Sequence, residues 1–539
     1  MTRRAAVPLI LFATVCLALV APPAVAAPPD LPTVAALGDA LPLGPAGLEE
    51  TRTTRTLQPG VTLTRIVRGH TDPSAVWTVE VAVPPGPGSP DPDAPPAAIS
   101  DEADARAAAD RLQAAGLDPR VEKVSTPPLA DFSGDLGWRV RVGATATRAE
   151  ADAIRQQVIA AGFGGSSIYT GWDGEPDDVA GSTGPWHVDV LTIDPRTFGG
   201  RLDATYGPDL ERRETTSQLA ALTGADTAVN AGFFVLDPAA GAPGDPAGVA
   251  AYDGRLVSEP IAGRPALVVR DDARRTSIVR LRWRGEVAGL TLDGLDRVPG
   301  LIRNCGGIGD TPTDLPRHDY TCTDPDELVA FDSAYGARTP SGPGAEVVLD
   351  RSGRVTDIRS PRGGTIPAGG RTVQATGDRV DALLAVAHPG RELVVRATLI
   401  DDRGRPVPTS PITSIVNGGP ELVRDGQLHA TPRADGMVHP GNPSFYYGWV
   451  HKRNPRTFAG VDAQGRTVLI TADGRSTSSL GLGIAETAAV AKSLGLRNAM
   501  NLDGGGSTTM VVDGAVINVP SDATGERPVG DALVVLPAR

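Results

Sequence analysis

Apolar and polar residues alternate in short runs along most of the chain, which is the pattern of strands that bury one face. Val61 to Val67 is the first such run, and similar runs begin at Trp77 and at Trp186. Helical periodicity is rare in the second half of the chain, where the clearest segment is Gly483 to Leu494. Many short strands with few helices among them predict an α+β fold whose larger part is rich in strands.

A strand, a helix and a second strand occur twice in succession between residues 75 and 172. The first predicted helix, Asp101 to Ala115, stops at Gly116, and the second, Thr147 to Ala161, stops at Gly162. The flanking strands are predicted at Trp77–Val83, Arg120–Val124, Trp138–Val142 and Ser167–Tyr169. Two such units, in the order βαββαβ, predict one four-stranded sheet with both helices on a single face.

This duplicated block resembles a SPOR domain, a small module that binds the glycan strands of peptidoglycan. The resemblance rests on the order of the elements and on repeated Ala-Asp-Ala and Ala-Ala-Gly sequences in the two helices. It implies that peptidoglycan is a partner of this protein. The alternative is a ferredoxin-like spacer that folds and packs without binding a glycan.

The first residues predict export. Arg3 and Arg4 precede an apolar run from Ala5 to Val20, which is short for a membrane span, and Ala24-Val25-Ala26 offers a cleavage site after Ala26. An uncleaved signal anchor is the alternative. No later stretch is long and apolar enough to cross a bilayer. We therefore expect a secreted, cell-wall-associated protein without membrane contact once its signal is removed.

The predicted organisation has four parts. They are a signal peptide (1–26), a lead-in with a possible first strand of the later domain (27–74), the SPOR-like block (75–172) and a large domain (184–539). The chain has 51 Lys and Arg against 64 Asp and Glu, a formal net charge of −13, so we predict that it does not bind nucleic acid. Cys305 and Cys322 follow the signal and are predicted to form a disulfide in an oxidising compartment.

Five stretches of the large domain match motifs of one enzyme family. They are Asn230-Ala231-Gly232-Phe233-Phe234, Asn417-Gly418-Gly419-Pro420, Arg453 to Gly460, Thr471 to Arg475 and Asn501 to Met510. In order and spacing they resemble the phosphodiester glycosidase family, over about residues 186–539. The resemblance implies a hydrolase that cleaves the anomeric C–O bond of a sugar 1-phosphodiester, and in a wall-bound protein a GlcNAc-1-phosphodiester of the cell wall is the expected substrate.

The residues of these motifs suit that chemistry. A phosphomonoester leaves as a stable anion, so the reaction needs less help from a general acid than ordinary glycoside hydrolysis does. It needs cationic and N–H groups for the phosphate, and we predict Arg456 and Arg475 as catalytic cations because guanidinium binds phosphate through paired hydrogen bonds. Gly504, Gly505 and Gly506 can aim successive N–H groups at the same anion.

Two carboxylates compete for the role of base or nucleophile. Asp503 follows an apolar strand and immediately precedes the glycine turn, where rigid structure would position it. Glu486 lies early in the helix predicted at Gly483 to Leu494. Its alternative role is to stabilise the helix N-terminus by about 0.3–1 kcal/mol.

The other predicted substrate-binding residues are small or polar and lie in the same motifs: Asn230, Gly232, Asn417, Gly418, Thr457, Asp473, Asn501, Ser507 and Thr508. The two amides at 230 and 417 could bind sugar hydroxyls or could simply turn the chain. Candidate aromatic faces for a sugar are Phe233, Phe234, Tyr446 and Tyr447. No cluster of metal ligands stands out, so we predict no metal and no other cofactor. Two other functions stay open, a non-catalytic glycan-binding protein and a phosphodiesterase that breaks P–O.

Overall fold

The computed structural model describes residues 39–83, 96–175, 181–261, 263–305 and 315–538. The predicted signal peptide lies outside the described residues. The helices are α1 (Glu102–Ala114), α2 (Arg148–Ala160), α3 (Thr216–Thr223), α4 (Arg379–Val386), α5 (Pro443–Tyr446) and α6 (Ile484–Ser493). A π-helical turn, Tyr447–His451, directly continues α5. None of the helices that the structure describes is long and apolar enough to span a membrane.

Sixteen of the described strands lie at or before residue 303. They are β1 (Glu50–Gln58), β2 (Val61–Arg68), β3 (Trp77–Ala82), β4 (Pro119–Thr126), β5 (Gly134–Thr145), β6 (Gly164–Tyr169), β7 (Trp186–Ile193), β8 (Arg201–Thr205), β9 (Thr227–Asn230), β10 (Ala250–Tyr252), β11 (Arg255–Ser258), β12 (Pro265–Arg270), β13 (Ser277–Val287), β14 (Leu290–Leu292), β15 (Gly294–Leu295) and β16 (Leu301–Arg303).

The other strands follow residue 320. They are β17 (Thr321–Thr323), β18 (Leu328–Phe331), β19 (Arg338–Gly342), β20 (Ala345–Leu349), β21 (Val355–Arg359), β22 (Arg362–Thr365), β23 (Arg371–Ala375), β24 (Val395–Asp401), β25 (Pro406–Val407), β26 (Thr413–Asn417), β27 (Glu421–Arg424), β28 (Gln427–Leu428), β29 (Arg456–Asp462), β30 (Thr467–Ala472), β31 (Leu496–Asn501), β32 (Met510–Val512), β33 (Ala515–Val516) and β34 (Ala532–Leu536).

The duplicated block forms one antiparallel sheet in the order β4-β5-β3-β6, with α1 and α2 packed on it. Each helix begins at a side-chain cap: Asp101 accepts from the N–H of Asp104 at 2.8 Å, and Thr147 forms a capping box with Glu150. Buried valines and alanines of both strands and helices, such as Val79 and Ala105, make its core. The predicted α+β fold with a small βαββαβ module is confirmed.

The module interrupts a larger sheet. An eight-stranded sheet runs β1-β2-β7-β30-β29-β31-β27-β28, and β2 pairs with β7 along its whole length, from Val61 opposite Ile193 to Arg68 opposite Trp186. The strands before and after the module are therefore neighbours in one sheet. Val61 and Leu63 of β2 are buried in the main core of the protein.

That core lies between three sheets. The eight-stranded sheet contributes residues such as Leu469, a five-stranded sheet (β33-β32-β9-β34-β8) contributes Val229 and Leu533, and a second large sheet around β10, β26 and β12 contributes Leu267. A separate cluster around Val347 joins β15-β18-β23-β20-β21 to α4. Strands β9, β29 and β31 from two of these sheets end beside one another, and the candidate site lies there.

A buried polar network joins the module to the segment that follows α5. Glu80 of β3 accepts a hydrogen bond from the Tyr447 hydroxyl at 2.7 Å and pairs with Lys452 at 3.0 Å. Arg141 of β5 bridges Glu80 and Asp173. Burial raises the pKa of Glu80, but Lys452 and Arg141 outweigh burial and hold that pKa at about 2. The sheet face opposite the module's helices is thus occupied by the protein itself.

Glu80→Gln is expected to lower the free energy of unfolding by about 3 kcal/mol at pH 7, because the buried cations lose their partner. A carboxyl group with a lowered folded-state pKa stabilises the fold above its unfolded pKa and loses that effect as the pH falls through the folded value. The difference from wild type should therefore shrink between pH 4.5 and about 2. Denaturant midpoints at pH 7 and pH 3 measure it.

The matched control is Glu102→Gln, which removes an exposed carboxylate that pairs with Arg106 in the same module. An exposed pair contributes about 0.5 kcal/mol or less, so this variant should unfold like wild type at either pH. Equal midpoints for the Glu80 and Glu102 variants at pH 7 would contradict a stabilising role for the network.

Candidate active site

A pocket lies at the ends of β9, β29 and β31. Its wall consists of Phe233, Phe234, Leu236, Ala247, Arg303, Asn304, His318, Asp319, Met437, Trp449, Arg456, Asn501, Asp503, Gly504, Ser507 and Arg527. Of the residues predicted for the site, the structure brings Arg456, Asn501, Asp503, Gly504 and Ser507 to this wall.

Backbone and side-chain contacts fix the position of Asp503. Its N–H donates to the carbonyl of Ala231 at 2.9 Å, and its carbonyl accepts from Nδ2 of Asn230 at 2.7 Å. Oδ1 of Asn230 accepts from the Thr457 hydroxyl at 2.7 Å and from the N–H of Thr509 at 3.1 Å. The fully buried Asn230 therefore ties three chain segments together behind Asp503. Asn230 and Thr457 position the carboxylate in place of the sugar contacts that we predicted for them.

Arg456 opens β29 and lies almost fully buried at the pocket wall. Its Nε donates to the carbonyl of Leu482 at 2.8 Å and its Nη2 to that of Trp449 at 2.7 Å. In the part of the chain that the structure describes, Nη1 makes no hydrogen bond. Burial lowers the pKa of Arg456 to about 9, and the nearby charge of Arg475 contributes to the shift. Two backbone carbonyls thus hold the guanidinium of a residue that lines the pocket.

The glycine turn differs from the predicted row of N–H donors. Gly505 has a φ of +60° and donates its N–H to the carbonyl of Pro455 at 3.0 Å, and the N–H of Ser507 donates to Gly504 at 3.1 Å. A Cβ on Gly506 would lie 2.2 Å from Nη2 of Arg527, so this glycine admits the Arg527 side chain. Buried Thr508 follows and closes the turn by donating its N–H to Gly505.

A second amide also binds backbone. Oδ1 of Asn417 accepts from the N–H of Phe233 at 3.0 Å, and Nδ2 donates to the carbonyl of the same residue at 3.1 Å. A Cβ on Gly232 would lie 2.8 Å from that Nδ2, and one on Gly418 would lie 2.6 Å from the carbonyl of Asn501. These glycines therefore allow the close packing that holds Phe233 at the pocket. Asn417 positions an aromatic wall in place of the predicted sugar contact.

Three more predicted residues, Glu486, Asp473 and Arg475, are also absent from the pocket wall. Both oxygens of Glu486 are bound, by Arg453 at 2.8 Å and by the N–H of Gly483 at 2.9 Å, so Glu486 caps α6. Asp473 accepts from the N–H of Val519 at 2.9 Å. Arg475 donates to Oδ1 of Asn454 at 2.9 Å. The aromatic candidates divide: Phe233 and Phe234 line the pocket, whereas Tyr446 and Tyr447 contact the module.

The pocket region is rich in buried cations. Arg303 pairs with Asp319, and Arg527 pairs with Asp522. Arg456 and Arg264 have no carboxylate within ion-pair distance among the described residues. Burial lowers the pKa of Arg264 to about 10, and its guanidinium lies 5.3 Å from the centre of the Phe233 ring, behind the wall. The nearest carboxylates that act on these two charges, Asp435 for Arg264 and Glu486 for Arg456, do not form ion pairs with them, which favours an anionic ligand.

Two polar groups of the wall are also unsatisfied. Nε1 of Trp449 and Oδ1 of Asn501 are buried and have no hydrogen-bond partner within the described ranges. One is a donor and the other an acceptor. A ligand with hydroxyl groups could satisfy both. Among the described side chains, no three His, Cys, Asp or Glu residues gather as in a metal site.

One wall of the pocket comes from a segment that the sequence motifs did not indicate. The predicted disulfide between Cys305 and Cys322 is confirmed, with Cα atoms 5.9 Å apart, and it joins the ends of the β16–β17 hairpin region. This region contributes Arg303, Asn304, His318 and Asp319 to the wall. Met437, Trp449 and Arg527 were missed as well. The cysteine spacing was the one signal that marked this segment as ordered.

The comparisons with known proteins agree with this architecture. The phosphodiester glycosidase family matches residues 343–536, and the SPOR domain matches residues 97–169. The crystal structure of a Burkholderia pseudomallei protein, named for its expected export, superposes with a TM-score of 0.81 at 34% identity. That alignment covers 93% of this chain and 99% of the other. The chain therefore carries a phosphodiester glycosidase domain and a SPOR domain.

Curated relatives share only part of the chain. The mouse N-acetylglucosamine-1-phosphodiester alpha-N-acetylglucosaminidase is 29% identical over 163 residues, which are 30% of this chain and 30% of the mouse enzyme. The human enzyme of the same name is 32% identical over 114 residues, or 21% of this chain and 22% of its own length. The chain thus aligns with less than a third of either relative.

Proposed function

We propose that this protein is a hydrolase that cleaves the anomeric C–O bond of a sugar 1-phosphodiester in the pocket beside Asp503. The observation that supports it most is the pair of buried guanidinium groups, Arg456 and Arg264, next to a pocket whose wall also contains unsatisfied polar groups. A phosphodiester supplies the negative charge, and a sugar supplies hydroxyls for Trp449 and Asn501. The family match adds support from sequence.

In the proposed reaction, Asp503 acts at the sugar and Arg456 at the phosphate. The bond from the anomeric carbon to the phosphate oxygen breaks, and its electron pair leaves with the phosphomonoester. With Asp503 as general base, a water molecule attacks the anomeric carbon as this bond breaks, and the carboxylate takes the proton of the water. With Asp503 as nucleophile, a glycosyl ester forms first and water then cleaves it. Both routes give a free sugar and a phosphomonoester.

The groups around the phosphate do the work that a general acid does elsewhere. Negative charge grows on the departing oxygen, and a phosphomonoester bears it without prior protonation. Nη1 of Arg456 donates to a phosphate oxygen, and the fixed charge of Arg264 stabilises the same anion at longer range. Glu486 contributes indirectly, because its partner Arg453 belongs to the segment whose carbonyls hold Arg456.

The proposed natural substrate is a GlcNAc-1-phosphodiester of the bacterial cell wall, reached after export. Two observations support it. The curated relatives are named for hydrolysis at N-acetylglucosamine-1-phosphodiesters, and a SPOR domain is a glycan-binding module. The module is fixed to the catalytic part by the Glu80 network, so a glycan held on its free surfaces would keep wall phosphodiesters close to the pocket.

Hydrolysis of a GlcNAc-1-phosphodiester in oxygen-18 water tests the proposal. We expect the heavy oxygen in the released sugar, because water attacks the anomeric carbon, and unlabelled phosphomonoester. Mass spectrometry of both products measures the label. Label in the phosphate would instead show cleavage of the P–O bond by a phosphodiesterase. If neither product forms, the protein is a glycan-binding protein without this activity.

A further inference from the structure

His318 is a pocket residue that lies outside the segment matched by the family model. It lies between Cys305 and Cys322, inside the loop that the disulfide closes, and its ring packs edge-on against Phe233, with centroids 4.3 Å apart. The N–H of His318 donates to the carbonyl of Gly436 at 2.7 Å, which fixes the backbone. The imidazole is therefore held at a defined position in the wall.

The contact with Arg264 defines the tautomer of this imidazole. Nη2 of Arg264 lies 3.3 Å from Nδ1 of His318. Guanidinium has donors and no acceptor, so Nδ1 must accept this hydrogen bond and cannot bear a proton. The ring proton is therefore on Nε2. Nε2 has no hydrogen-bond partner among the described residues, and the ring lines the pocket.

The surroundings keep the ring uncharged. Burial lowers the pKa of His318 well below its usual range, and the charges of Arg264 and Arg303 lower it further, as does His439. Asp319, the adjacent carboxylate, pairs with Arg303. A neutral imidazole is too weak an acid to protonate a leaving group at pH 7, but it is a good hydrogen-bond donor. The hydrogen bond from Arg264 to Nδ1 polarises the ring and strengthens that donor.

We propose that His318, in its Nε2–H tautomer, donates a hydrogen bond to the phosphate of the substrate and remains uncharged during turnover. This inference rests on the proposed function for the identity of the ligand, and on the geometry of Arg264 and His318 for the donor. No proton is transferred: the hydrogen bond only stabilises charge that grows on the phosphate. A donor held in place before the substrate arrives costs little reorganisation.

Two substitutions separate the nitrogens of the ring. Gln places an amide donor where Nε2 was, whereas Asn is shorter and can replace only Nδ1. We expect His318→Asn to lower kcat/KM by about 10- to 100-fold, the loss of a hydrogen bond to a charged group. His318→Gln should recover activity to within about 5-fold of wild type, since a neutral amide donor is equivalent here. The control is His70→Asn, the same exchange at an exposed position that is distant from His318 in the sequence.

Two measurements do not depend on turnover. Long-range proton–nitrogen NMR correlation should show His318 with its proton on Nε2 at pH 6, and Arg264→Met should abolish that preference. Titration with inorganic phosphate should shift the Nε2–H proton, and His318→Asn should bind phosphate about 10-fold more weakly than His318→Gln.

Different failures have different meanings. A proton on Nδ1, or equal phosphate affinity of the Asn and Gln variants, would overturn the role of His318 even if the enzyme cleaves sugar phosphodiesters. If the wild type cleaves none of them but still binds phosphate through Nε2, the inference about His318 stands and the proposed reaction fails. Melting temperatures of both variants check that each is folded.

Discussion

Asp503→Asn is expected to lower kcat/KM for a GlcNAc-1-phosphodiester by about 1,000-fold, because the amide can neither take a proton from water nor attack the anomeric carbon. The amide has nearly the shape of the carboxylate. The backbone of residue 503 keeps its hydrogen bonds to Ala231 and Asn230, so the fold should be unchanged. Steady-state kinetics measure the loss, and binding to purified cell wall should equal that of wild type.

The same substitution at Asp513 is the matched control. This residue lies in the β32–β33 turn near the end of the same motif region, and its side chain is mostly exposed. Asp513 has a φ of +52°, a conformation that Asn also tolerates, so Asp513→Asn should keep full activity. If the folded Asp503 variant keeps an activity within about 5-fold of wild type, Asp503 is neither the base nor the nucleophile.

Arg456→Lys is expected to lower kcat/KM by about 100-fold even though the positive charge is kept. The guanidinium donates to two carbonyls, those of Leu482 and Trp449, through Nε and Nη2, and in the proposed reaction Nη1 binds the phosphate. A lysine ammonium is a single point that would bind the carbonyls and leave the phosphate without its donor. The effect should fall on kcat as well as on KM, because charge on the phosphate grows in the transition state.

Arg396→Lys is the control for this exchange, because Arg396 is exposed and forms an ion pair with Glu286 alone among the described residues. It should leave both kinetic constants unchanged. A normal kcat with a raised KM in Arg456→Lys would mean that Arg456 binds the ground state and the transition state equally. Unaltered constants in a folded Arg456 variant would remove it from the phosphate site.

The module was predictable because its signals are local. The caps at Asp101 and Thr147 and the stops at Gly116 and Gly162 place both helices within one or two residues of the structure. The adjacency of β2 and β7 in one sheet was not predictable to the same degree. Alternation shows that Val61 to Val67 is a strand, but which later strand it pairs with depends on tertiary structure that no local pattern encodes.

The candidate site was also predictable only in part. Asp503 and Arg456 belong to contiguous motifs, and the structure places both in one wall. Asn230 and Asn417 show the limit, because an amide that binds a sugar and an amide that binds a backbone have the same sequence signature. His318 had no motif at all. It lies between Cys305 and Cys322, and its place at the pocket depends on long-range packing.

The insertion of the module between β2 and β7 also affects how the chain finds its fold. Arg68 and Trp186 pair directly, although the chain between them is long. Within the folded module Trp77 lies opposite Tyr169, so the module's two ends are side by side. Closing a loop of about 120 residues costs about 1.5 kcal/mol more than closing one of about 20. A module that folds first removes that entropic cost, and the edge of the large sheet can then form as a local contact.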